Sequence, residues 1–74
     1  MKTRKQQISE MIGGLEDDLT KQQVVKDFKE YLFTNDEKFK GNLEAEKDLK
    51  ASEMAIYRTE TMLKWLNDEL LRIE

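Results

Sequence analysis

Leucine and isoleucine recur every seven residues along the C-terminal half of the chain, at Leu49, Ile56, Leu63 and Leu70. A companion series, Ala45, Ser52, Thr59, Leu66 and Ile73, interleaves with it at spacings of three and four. An α-helix turns about 100° per residue, so both series fall on one seam, and another helical surface has to cover it. No other feature of the chain limits the fold as strongly. The seam is richly apolar from Ile56 onward and thin before it, because Ser52 and Ala45 bury little.

Everything around the seam is compatible with helix. The chain has no proline and three glycines, and it is rich in Lys, Glu, Gln and Leu, which lose little side-chain freedom in a helix. Its 74 residues make one domain, read as all-α. With no cysteine there is no disulfide to staple so small a core, so stability must come from helix packing, self-association or a partner. Basic and acidic residues, 13 against 16, nearly balance, which favours a folded chain with a solvated surface over a disordered one.

The N-terminal half carries two apolar stripes that differ in phase. Ile8, Met11, Ile12, Leu15 and Leu19 form the first, which runs straight across Gly13 and Gly14. Its next members would be Gln22, Gln23 and Lys26, which are polar, whereas Val24, Val25, Phe28, Tyr31 and Leu32 mark a stripe on nearly the opposite side. The change of phase near residue 20 coincides with Thr20-Lys21-Gln22-Gln23, a capping-box pattern, with Leu19 and Val24 placed as a hydrophobic staple. Thr34-Asn35-Asp36-Glu37 repeats the pattern. The expected architecture is a small helical bundle: two shorter N-terminal helices, about 3–18 and 21–33, packed on one long C-terminal helix, about 36–73. Two alternatives stay open: a bend at Gly13-Gly14, and a start of the last helix at Asn42, after Gly41. Within the first helix the two glycines would let another helix approach closely.

The charges beside the C-terminal seam disfavour its pairing with a copy of itself. Glu46, Glu53, Glu60 and Glu74 line one flank and Asp48 and Glu69 the other, with no base on either. A parallel or an antiparallel self-pair would set acid against acid. Lys21, Lys26 and Lys29 suit these flanks better, which points to a seam packed within the chain.

A second group, Phe39, Leu43, Met54, Tyr57 and Trp65, lies 120–180° or so from the seam. Large apolar residues that nothing covers suggest a binding surface, and Trp and Tyr are enriched at such surfaces. These five are the candidate partner-binding residues; the bland alternative has Phe39 and Leu43 closing the end of the bundle.

Residue types exclude much chemistry. Histidine and cysteine are absent, removing the commonest general base, the commonest metal ligand and thiol nucleophiles. Ser9 and Ser52 have no base nearby in sequence, and Gly13-Gly14 belongs to no phosphate-binding motif. Glu16, Asp17 and Asp18 lack the spacing of a calcium loop. No catalytic, cofactor or metal residues are expected. Lys2, Arg4 and Lys5 form a small basic arm that would serve a DNA-binding regulator, but a net charge of −3 argues against nucleic acid. The N-terminus lacks the apolar run of a signal peptide and no segment has the length of a membrane span, so a cytoplasmic protein is expected. The expected function is non-enzymatic binding of another protein or of itself, as a small adaptor, inhibitor or regulator of the kind a mobile element encodes. A DNA-binding regulator and a structural subunit of a larger assembly are the alternatives.

Overall fold

A computed structural model describes residues 1–73 as two antiparallel helices, α1 (Arg4–Asn35) and α2 (Leu43–Ile73), forming a hairpin 52 × 16 × 15 Å. Glu74, counted above with the acidic flank, lies outside the described residues.

The all-α class holds, but the three-helix arrangement does not. Residues 3–18 and 21–33 belong to one continuous helix, and the last helix begins at Leu43 rather than at Asp36. Thr20 caps nothing: its hydroxyl donates back to the Glu16 carbonyl at 3.1 Å, an ordinary arrangement inside a helix. Ending a helix there would leave up to four carbonyls and four N–H groups without intrahelical partners, and no proline or left-handed residue forces that loss. The capping box that is used lies at the true start. The Gln6 N–H donates to Thr3 Oγ1 at 3.1 Å, and the Thr3 N–H donates to Gln6 Oε1 at 2.9 Å.

Thr34 likewise lies within α1, and the second capping-box pattern opens no helix. Asp36 closes α1, its N–H donating to the Leu32 carbonyl at 2.9 Å while its Oδ1 accepts from the Lys38 N–H at 2.9 Å. Asp36 therefore draws the backbone into a turn instead of a new helix. The turn ends at Gly41, whose φ of +72° is the left-handed conformation that glycine adopts without a Cβ penalty. Asn42 then caps α2, its Oδ1 accepting from the Glu44 N–H at 2.8 Å.

The core is a single seam between the helices. From α2 come Ile56, Thr59, Leu63 and Leu66, all buried, with Ala45, Leu49, Ser52 and Leu70 half-buried. From α1 come Ile8, buried, and then Ile12, Leu15 and Leu19, half-buried. The same four-three spacing carries on through Gln22, Lys26, Lys29 and Phe33, all half-buried. Three of these eight α1 seam residues, Gln22, Lys26 and Lys29, are therefore polar.

The polar stretch meets polar partners. Lys29 Nζ donates to Asp48 Oδ1 at 3.1 Å and to Ser52 Oγ at 2.9 Å, where α2 is weakly apolar. At the open end Arg4 approaches Glu69 at 4.0 Å. Both contacts fit the antiparallel register in which the apolar seams pack. Gln22 is the exception, since its Oε1 is buried with no hydrogen-bond partner among the described residues. Leaving such an acceptor unpaired costs about 1–3 kcal/mol. Gln22→Leu is accordingly expected to raise the urea midpoint, by an amount equivalent to about 1 kcal/mol or more. An unchanged or lower midpoint would show that water already satisfies that oxygen.

Candidate functional site

A continuous α1 cannot turn both of its stripes inward. With Ile8, Ile12, Leu15 and Leu19 docked on α2, the rotation of about 100° per residue sends the second stripe outward. Val24, Val25, Phe28 and Tyr31 are all exposed, Phe28 at 60% and Tyr31 at 62%. Met11, placed with the inner stripe from the sequence, is also exposed.

Each of the five candidate residues lies at the surface, four on α2 and Phe39 in the turn before it, but they do not form one patch. Tyr57 and Trp65, 64% and 54% exposed, line one apolar depression together with Arg58, Thr61 and Met62. Met54 stands one turn before Tyr57 on the same stripe, also exposed. Leu43 sits at the start of α2, about 16 Å along the helix from Met54 at 1.5 Å per residue, and lies apart from the depression. Phe39 belongs to the turn and lines a groove at the closed end with Leu32, Ala45 and Asp48. Met62, about half exposed, is a surface residue that the sequence reading left out. Its signal was present, since it falls three residues before Trp65 and seven after Ala55.

The two flanks of the seam differ sharply. Gln23 and Asp27 of α1 share a groove with Glu53 and Glu60 of α2, so this side is acidic and solvated. On the opposite side Val25 of α1 shares a groove with Ala55 of α2, with Lys21 at its edge. Steps of seven residues from Val25 and Ala55 reach Met11, Leu32 and Met62 on that second side. Phe28 and Trp65 follow three residues after Val25 and Met62, one step further outward. The hairpin thus has an acidic flank and an apolar flank.

Ion pairs occupy much of the remaining charge. In the basic arm, Lys2 pairs with Glu10 at 2.6 Å and Arg4 lies against Glu69, so these bases already face carboxylates of this chain. Lys26 approaches Glu30 at 3.7 Å, Lys50 approaches Glu46 at 3.3 Å, and Arg72 reaches back to Glu69 at 2.9 Å. Among the described residues no group of three or more carboxylates is gathered as a metal site. No described helix is long and apolar enough to cross a membrane. Gly13 and Gly14 admit no close neighbour within the chain, because a Cβ built on either would find nothing within 4 Å. No known family, curated protein or solved structure matches this chain.

Proposed function

We propose that this chain is a non-enzymatic protein–protein interaction module, a small adaptor, inhibitor or regulator that works by packing a helical partner against the apolar flank. One observation carries the reading: a rigid hairpin holds Phe28, Tyr57, Met62 and Trp65 at its surface, where its own two helices cannot cover them. Large apolar side chains left exposed along one side favour a binding surface, and aromatic residues and Met are enriched in interface cores. The site differs from the one expected on α2 alone, because α1 contributes Val25 and Phe28. Of the five residues singled out in the sequence, Trp65 lies on the shared flank, Tyr57 and Met54 border it, and Leu43 and Phe39 stand apart.

Photo-crosslinking in the native host tests this directly. A photoreactive residue in place of Met62 is expected to give protein adducts, and the same residue in place of Glu53 on the acidic flank is expected to give none. The absence of adducts at position 62, or equal yields at both positions, would defeat the reading.

A further inference from the structure

We infer that the occupant of the apolar flank is a second copy of this chain, so that two hairpins associate face to face as a four-helix bundle. This rests on the interaction reading above and names its partner.

Charge is the first argument. The acidic flank carries Glu16, Glu30, Glu46, Glu53 and Glu60 at positions that border the seam, against Lys5 and Lys64 on the same side and Lys26 reaching it from the seam. Two copies meeting there would repel each other. The apolar flank is different. Of its charged residues, Arg4 and Glu69 approach each other, and Asp48 is paired with Lys29. Glu44, at the closed end, approaches Lys47 at 4.0 Å, and Asp18, Lys21 and Arg58 remain near the middle, one acid beside two bases. Face-to-face pairing requires a two-fold axis in the plane of the interface. If the axis crosses the hairpin, Asp18 of one copy comes level with Lys21 of the other. If it runs along the hairpin, Asp18 comes level with Arg58. In either case the acid meets a base, but with the axis across the hairpin Arg58 would also meet its own copy, so the surface is complementary to itself about the axis that runs along the hairpin.

Shape is the second argument. Lys29 pairs with Asp48 and Arg4 with Glu69, which places Met11 and Gly14 level with Met62 and Trp65 towards the open end. Val25 and Phe28 lie towards the closed end, level with Ala51. With the axis along the hairpin, Trp65 falls on Met11 and Gly14 of the other copy, and Phe28 falls on Ala51. Large residues then meet small ones, which is how facing helical layers interdigitate. Gly14 has open space where its Cβ would be, as such an approach requires.

Area is the third argument. A face of 52 × 16 Å bounds the footprint at about 800 Å², so two copies overlapping along their whole length can reach the area that each partner contributes to a stable interface of standard size. A lone hairpin buries only Ile8, Ile56, Thr59, Leu63 and Leu66 among its described residues, whereas a pair would bury Val25, Phe28, Met62 and Trp65 as well.

The test is molar mass by light scattering after size exclusion, with Trp65 fluorescence followed on dilution. The wild-type chain is expected at twice the chain mass at tens of micromolar. It should fall to the chain mass on dilution, with Trp65 emission moving to longer wavelength in step. Phe28→Glu, which places a carboxylate at a site already exposed in the single hairpin, is expected to weaken association at least tenfold. Glu53→Gln is expected to leave the dimer intact. A wild-type chain still at single mass at about 100 μM, a concentration at which micromolar dimers are almost fully formed, overturns the inference. So does a Phe28→Glu chain that dimerises as tightly as the wild type. If Phe28→Glu is unfolded, the wild-type dilution series decides alone. The two readings fail separately: a monomer whose Met62 position still crosslinks to another protein removes the second copy but keeps the interaction module, whereas no adduct of any kind removes both.

Discussion

Leu66→Ala is expected to leave the chain largely unfolded at room temperature, as read by loss of helical circular dichroism and of a cooperative urea transition. Leu66 is the most buried core residue, 2% exposed. Ile8, 4% exposed, lies across from it near the open end, where Arg4 approaches Glu69. Replacing a fully buried leucine by alanine removes its transfer free energy and leaves a cavity, together costing about 2–5 kcal/mol. A core this small supplies about 3–5 kcal/mol in total, so the loss matches the whole stability. The contrast is Met54→Ala, where the side chain is already half in water and the expected change is within about 0.5 kcal/mol. Equal effects at the two positions would mean that the seam is not the core.

The largest expected gain in stability comes from Gly13→Ala combined with Gly14→Ala. Both glycines lie inside α1 and neither has a neighbour within 4 Å of an added Cβ, so the new methyl groups meet no obstruction. Each replacement removes the backbone entropy that glycine loses on entering a helix, worth about 0.8–1.0 kcal/mol, or about 2 kcal/mol for the pair. A rise in melting temperature of that size, seen in dilute solution, is the expected result. No rise would show that α1 is not continuous through residues 13–14. The single variants separate further. Gly13 points away from the apolar flank and Gly14 towards it, so Gly13→Ala should stabilise at every protein concentration. Gly14→Ala should gain less once two copies associate closely over that position.

Local chemistry misled most at Thr20 and Thr34, which carry the sequence pattern of a cap without the backbone of one. A capping box acts only where the chain has already left helical geometry, and at Thr20 nothing makes it leave. Thr3 carries the same pattern with no helix before it, and there the cap forms. At the closed end, the turn was legible in Gly41 and Asn42, which give a left-handed residue followed by a strong N-cap. Asp36 was harder to read, since the side chain that could open a helix instead bonds the Lys38 N–H. For the site, exposure of Trp65 and Tyr57 followed from their distance around α2 from the seam. The contribution of Phe28 and Val25 did not, because it depends on which stripe of α1 docks.

The sequence alone determined the all-helical class, the seam of α2 from Leu49 to Leu70, and the acids on both of its flanks. These follow from residue type and from the fixed rotation of a helix, and neither depends on distant parts of the chain. Only the tertiary structure decided that α1 is a single helix with Gln22, Lys26 and Lys29 facing inward and Val24, Val25, Phe28 and Tyr31 facing out. A rigid helix docks as one body, so burying Ile8, Ile12, Leu15 and Leu19 fixes the direction of every later residue, whatever its polarity. An unbroken backbone ladder, together with Asp48 and Ser52 waiting for Lys29, outweighs the cost of leaving the second stripe in water, and a second copy packed on the apolar flank would remove much of that cost.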